Sequence, residues 1–441
     1  MAVLLGGTAL AQLVVVVALP VLTRVFTPDD FNVYATYIAI VSIIAVIGCL
    51  RFDVAIPIPE KEDDAIHLLI LSLFASFSIS FLLFFGFYFF RHLVINFSSA
   101  NDVFDYYWLI PIGVWLASTY SALQYWAVRK KSFLSIAKTR VLQSVSSVAV
   151  QLGLGGVGIA PVGLLIGQAI NGGAGILRLG IEAWLDVKYK FRYVGKDKFI
   201  SVFKENSKFP KYSVPEELAN ALAIQAPIII IGFAAFGAEA GFLLLAMRIM
   251  QGPISMLGSA ISQVYLSKAP DSERMGELAQ LTGDVVGKLF KFGVGPIFFI
   301  SVVADPLAEF ILGKSWGRVG IIMLWMCPWS VWQFMSSPIS VVMYVRDRQR
   351  AMFFLTLFGL AIRGVAMGIA WLYFKEYFSE FYALSSALFY LICFIVFSRA
   401  ARLDFQVLYR KCAPGGFVVS LWIISGVVLK LAVIGMVNYG S

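Results

Sequence analysis

The chain has 441 residues, 60% hydrophobic and 14% charged, against about 45–50% apolar and about 25% charged in soluble domains. With a mean hydropathy of +0.84, this excludes a soluble globular protein and leaves a polytopic membrane protein with short loops, since thirteen crossings of about 20 apolar residues use about 260 residues. The net charge of +9 then belongs to basic loops on one side of a bilayer, not to a nucleic-acid surface.

In chain order, apolar runs between charged or Gly/Pro interruptions predict spans over 3–23, 32–50, 66–90, 106–128, 136–154, 159–179, 214–236, 240–264, 286–304, 319–344, 351–374, 381–398 and 416–437. The first run passes Pro20 without a charged leader or a small-residue cleavage motif, so no cleavable signal peptide is expected. Loops at Arg51 and Lys61, 129–140, 178–211, 268–288, 346–350 and 399–411 hold 26 Lys and Arg. The opposite loops hold 5: Arg24, Arg91, Lys314, Arg318 and Lys375. The positive-inside rule places the richer set, and the N-terminus, in the cytoplasm.

The longest connection, Arg178 to Lys211, is expected to join an N-terminal lobe, 1–195, to a C-terminal lobe, 196–405, with 406–441 as an extra hydrophobic segment. Within it Phe199, Ile200 and Phe203 fall on one helical face, with Lys198, Lys204 and Lys208 around them. Such a segment suits a helix in the headgroup region, or a solvated linker. The segment Asp30 to Tyr34 before span two is echoed by Glu239 to Leu243 before span eight, 209 residues later. Six helices per lobe would make the lobes parallel repeats about an axis along the membrane normal. Lys430, inside span thirteen, argues against a full crossing there.

Motifs for soluble chemistry are missing. No G-x-x-x-x-G-K-[ST] occurs, and Gly153, Gly155 and Gly158 form a G-x-G-x-x-G only in an outer hairpin with no preceding strand. We read them as turn and packing glycines among the ten between Gly153 and Gly180, where Gly163 and Gly167 have small-xxx-small spacing. Cys49, Cys327, Cys393 and Cys412 lack ligand spacing and are expected to fill space. His67 and His92 sit near membrane edges without a catalytic partner. No metal or cofactor is expected.

Charges within the membrane are the informative residues, because burying one costs at least about 2.5–3.5 kcal/mol on insertion scales. Arg248 lies about 14 Å into span eight and Arg363 about 18 Å into span eleven. Arg24 and Arg51 bracket span two at its outer and inner edges. A guanidinium pairs with phosphate through two hydrogen bonds and keeps its charge at any physiological pH. The alternative is a structural arginine capped by carbonyls or snorkelling to the interface. Thr8 and Gln12, one turn apart, Asn220 and Gln225 are polar neighbours for the same substrate-binding role. Glu217, Asp284 and Asp305 all fall near span ends.

Several stretches resemble bacterial Wzx-type polysaccharide flippases. They are Gly6 to Gln12, Leu22-Thr23-Arg24 with Thr27 to Phe31, Leu50 to Pro57, the acidic run Glu60 to Asp64, Ile261 to Tyr265, and Pro306 to Trp316. The resemblance places the chain in the superfamily of multidrug and oligosaccharidyl-lipid exporters. It implies an all-α polytopic fold: two six-helix lobes related by pseudo-two-fold symmetry around a central cavity, working by alternating access. Relatives that move polyprenyl-diphosphate sugars carry arginines on the first, second and eighth helices, matching Arg24, Arg51 and Arg248. Twelve or fourteen helices are usual in that superfamily, and thirteen departs from both.

The implied activity is flipping of undecaprenyl-diphosphate-linked oligosaccharide, such as an O-antigen repeat unit, across the bacterial inner membrane. The flippase would act as a monomer, not as an enzyme, with the bilayer and polysaccharide polymerase machinery as partners. A multidrug extruder on the same fold is the rival, although a cation extruder would hold its substrate with buried carboxylates. A membrane polymerase or acyltransferase would need acid-base or nucleophilic groups in an outer loop.

Overall fold

A computed structural model describes residues 2–89, 102–188, 196–233, 237–346 and 348–439. Among these residues every regular element is helical. The helices of the first part are α1 (Ala2–Val25), α2 (Pro28–Gly48), the four-residue α3 (Phe52–Ala55), α4 (Glu62–Phe89), α5 (Leu109–Arg129), α6 (Phe133–Gly156), α7 (Val162–Gly173), α8 (Ile176–Val187), α9 (Lys196–Glu205) and α10 (Val214–Phe233). Then come α11 (Glu239–Arg274), α12 (Leu278–Leu289), α13 (Gly295–Leu312), α14 (Gly317–Ser336), the short α15 (Val342–Val345), α16 (Gln349–Tyr373), α17 (Phe378–Ala400) and α18 (Phe405–Tyr439). Each of the thirteen predicted spans falls on one of these helices or on a broken pair of them. Among the described residues ten helical stretches are long and apolar enough to cross a bilayer, and the chain is a multi-pass membrane protein.

Local chemistry explains the breaks. Thr27 caps α2 by accepting from the Asp30 amide at 3.2 Å while the Asp30 carboxylate accepts from the Thr27 amide at 2.8 Å, with Pro28 at the first helical position. The sixth span bends between α7 and α8 at Ala174 and Gly175, and the ninth carries a π-helical turn, Phe290–Val294, between α12 and α13.

Contacts divide the chain into two compact units, Met1–Gly241 and Phe242–Ser441. In the first unit α10 packs on α2 and α1 on α6. A Cβ on Gly7 would stand 2.6 Å from that of Ala137, so glycine sets how closely α1 and α6 approach. Tyr34 links three helices: its hydroxyl donates to Gln168 on α7 at 3.0 Å and accepts from Gln151 on α6 at 3.2 Å. Gly167 lies against Gln151, and Gly155 against Val25 and Phe26, the packing role expected of these glycines. Gly158, with φ +80°, forms the turn after α6.

One expectation is corrected. Arg178 does not begin a loop: α8 continues to Val187, with Arg178 pairing to Glu182 one turn on at 3.5 Å. The 178–211 connection is thus largely helical on both sides of residues 189–195, which lie outside the description, as does His92. The segment around Phe199 is a helix, α9, and it packs on the protein. Val202 is buried, Phe203 meets Phe52 at 5.6 Å between rings, and Lys198 pairs with Asp64 at 3.2 Å. The acidic run opening α4 therefore anchors α9.

In the second unit α18 packs on α12 and α13. Lys411 meets Asp284 at 2.5 Å and Lys430 meets Asp305 at 3.1 Å. Both partners ascend in sequence, so α18 runs parallel to α12–α13, with pairs about 30 Å apart along the helices. That is the hydrocarbon thickness of a bilayer. Lys430 is accommodated by a carboxylate, and the objection it raised to a thirteenth crossing falls.

Candidate functional site

At the end of α2 the backbone turns left-handed at Leu50, φ 49°, and Arg51, φ 60°, a conformation that costs on the order of 1–2 kcal/mol per non-glycine residue. The turn sends the Arg51 guanidinium to α10, where Nη2 lies 3.8 Å from Glu217 Oε2. Glu217 Oε1 also accepts from Asn220 Nδ2 at 3.4 Å. Nε of Arg51 is buried without a hydrogen bond.

Two residues on, Asp53 is buried in α3 at 5% exposure. Its Oδ2 accepts from the Ser121 hydroxyl of α5 at 2.6 Å, and Oδ1 has no partner. Tyr125, also on α5, stands within the field of Arg51, Asp53 and Glu217. Chemically this is an arginine with spare donors, held by one long contact, beside a buried carboxylate with a spare acceptor. A half-exposed ion pair of that length contributes at most about 1 kcal/mol, so a phosphate offering two oxygens can outcompete Glu217.

The other predicted residues are dispersed. Thr8 accepts from Arg140 of α6 at 3.1 Å, and Gln12 follows one turn later on α1, half-buried. Arg24 is exposed in the last turn of α1, where its charge complements the helix C-terminus. The 21 residues of α2 separate Arg24 from Arg51 by about 31 Å along the axis, so one diphosphate cannot touch both at once. Gln225 is half-buried on α10.

In the second unit Arg248 is half-buried, about 14 Å from the start of α11. Arg363 of α16 differs from the other arginines. It is buried, donates from Nε to Ser386 at 3.2 Å, and lies 4.6 Å from the Phe389 ring centroid and 5.7 Å from that of Tyr390. Cation–π contacts and a hydroxyl on α17 surround the guanidinium and tie α16 to α17.

The sequence matches the model of the family described as polysaccharide biosynthesis protein over residues 21–320. The chain belongs to that family. No curated protein sequence matches it. Its fold is similar to that of a solved lipid II flippase, MurJ, in an inward closed conformation, with TM-score 0.73 and 12% identity over 97% of this chain and 95% of that one. It is also similar to a MOP superfamily transporter from Pyrococcus furiosus, with TM-score 0.55 and 13% identity over 91% and 96% of the chains. The Vibrio cholerae MATE transporter VcmN follows, with TM-score 0.54 and 11% identity over 92% and 96%. The stretch matched to the polysaccharide biosynthesis family contains Arg24, Arg51, Asn220, Gln225 and Arg248, whereas Thr8, Gln12 and Arg363 lie outside it.

Sequence reasoning overlooked two buried carboxylates, Asp53 and Glu380. Asp53 follows Arg51 and Phe52 in what reads as a loop, and only the short α3 buries it. The signal available was an acid set between Phe52 and the apolar run Val54 to Ile58. Glu380, in the first turn of α17, is engaged by Arg318 through two contacts, 2.6 and 3.0 Å.

Proposed function

We propose that the chain is a flippase that carries an undecaprenyl-diphosphate-linked oligosaccharide, an O-antigen or similar repeat unit, from the cytoplasmic to the periplasmic leaflet of the bacterial inner membrane by alternating access. It works as a monomer without a cofactor and hands its product to the polymerase machinery. The observation that carries this proposal is Arg51, a guanidinium at the basic end of α2, inside the family match, engaged by one carboxylate at 3.8 Å. A diphosphate bound there gains paired, charge-assisted hydrogen bonds that Glu217 alone does not supply. By the charge asymmetry of the loops, Arg51, Arg248 and Arg24 stand at the inner edge, the middle and the outer edge of the membrane. Arg51 receives the headgroup at the inner edge while the prenyl tail stays in lipid. The fold shared with a lipid II flippase supports the same substrate class.

The test is translocation of a fluorescent polyprenyl-diphosphate oligosaccharide in proteoliposomes. Wild type should move it, Arg51→Ala should not, and Arg51→Lys should recover part of the rate, because an ammonium lacks the bidentate fork. Failure of the wild type with this substrate, together with extrusion of organic cations, would establish the rival reading. One observation favours that rival, the buried Asp53 carboxylate held only by a hydroxyl, and Asp53→Asn should then abolish cation extrusion.

A further inference from the structure

We propose that the cleft between α11 and α12 binds an anionic phospholipid of the leaflet facing the basic loops, with its phosphate at Lys268 and Lys288 and an acyl chain along the apolar walls. The two helices form a hairpin closed at Gly276, φ +75°, and fastened near its base by a hydrogen bond of 2.7 Å between the Tyr265 and Thr282 hydroxyls. Beside that bond they leave a cavity of about 610 Å³, within the range of about 300–1,000 Å³ for ligand pockets. Leu257, Ile261 and Val264 recur at helical spacing on one wall, opposite Leu289 and Phe292 on the other. Leu257, Val264 and Phe292 are 50%, 58% and 68% exposed, so the cleft is open along its flank.

The π-helical turn Phe290–Val294 shapes the second wall. Such turns recur at functional sites. Here it sets Gly293 against the Phe334 ring, leaving no room for a Cβ, which would lie 1.9 Å away. The walls run about 16 Å from Lys268 to Leu257.

Charge decides the occupant. At the mouth, Asp284 is already neutralised by Lys411. Among the described residues no carboxylate lies within ion-pair distance of Lys268 or Lys288. The mouth is therefore an apolar cleft topped by two uncompensated cations at the side that the loop charges assign to the cytoplasm, where basic pockets between helices take anionic lipid headgroups. The proposal does not depend on the transported substrate.

The test uses the full chain in phosphatidylcholine liposomes containing a small fraction of phosphatidylglycerol with a photoreactive acyl chain. Crosslinks should map to α11 between Leu257 and Val264 and to Phe292, and unlabelled phosphatidylglycerol should displace the probe where added phosphatidylcholine does not. Lys268→Ala with Lys288→Ala should weaken binding about thirty-fold, at ~1 kcal/mol per lysine, and the double Arg variant should retain it. Val264→Trp, which fills the cleft and leaves the charge, should remove the crosslinks. Crosslinking indifferent to headgroup charge, or surviving Val264→Trp, would mean ordinary annular lipid and overturn the proposal. So would displacement by a polyprenyl diphosphate but not by phosphatidylglycerol, which would make the cleft a substrate-tail site.

Discussion

The two units treat their internal charges differently. In Phe242–Ser441 four interhelical charges are matched acid to base, Arg318 to Glu380, Arg346 to Glu273, Lys411 to Asp284 and Lys430 to Asp305, while Arg363 is met by Ser386 and two rings. In Met1–Gly241 several are met by neutral groups instead. Arg129 donates to the carbonyls of Ile56, Pro59 and Glu60, Arg140 donates to Thr8, and Asp53 accepts from Ser121. Matched pairs fasten helices, since removing one partner strands the other in a poorly solvated place. Charges held by hydroxyls and carbonyls, or by one distant carboxylate as at Arg51, keep unused hydrogen-bonding capacity. The contrast gives the matched pairs of the second unit a fastening role and leaves hydrogen-bonding capacity unused around Arg51.

The largest effect that would sharpen this contrast is on folding. Arg318→Ala leaves the Glu380 carboxylate buried and alone, which should cost about 3–5 kcal/mol and lower the melting temperature in detergent by several degrees. Truncating both residues together should recover much of the loss. Asp53→Asn keeps an acceptor for Ser121 at the same volume and should shift stability by less than about 1 kcal/mol while impairing transport. Equal destabilisation by both variants would erase the distinction between the units.

The next effect is on activity alone. Arg248 is the arginine of the second unit within the family match that is placed deepest in the membrane. Its alanine variant should reduce surface glycan to background at unchanged expression, and Arg248→Lys should restore part of it. Normal glycan in Arg248→Ala would leave Arg248 a purely structural role.

Much of this architecture was legible in the sequence because apolar runs and basic loops alternate, and each predicted span falls on a helix. The orientation also rests on that alternation. A cysteine introduced at Lys204 in a cysteine-free background should react with an impermeant reagent only after permeabilisation, and labelling in intact spheroplasts would reverse it. The pairing of charges was not legible, because Asp284 and Lys411 are 127 residues apart and Asp305 and Lys430 are 125 apart, so nothing local couples them. The ring contacts of Arg363 were hidden for the same reason: Phe389 and Tyr390 lie on the next long helix. Arg51 was singled out through its charge and place. Its left-handed backbone and the neighbouring buried Asp53 became visible only once α3 was folded against α5.

The smallest effect tests whether the matched pairs of the second unit are truly coupled, and the pair at the far end of α18 is the most informative. Lys430 and Asp305 have side chains 27% and 41% exposed, so their attraction is partly screened and should be worth only about 1 kcal/mol. Lys430→Met or Asp305→Asn alone should therefore destabilise modestly, each leaving one charge in a membrane helix. The double variant should be more stable than the sum of the two predicts, because it removes both charges at once. Melting curves of the four proteins in one detergent give the coupling directly. Additive losses would show that the two side chains do not sense each other. In that case the outer end of α18 would be held by apolar packing, including Trp422 against Phe299 and Gly295, and the matching of charges in the second unit would fail there.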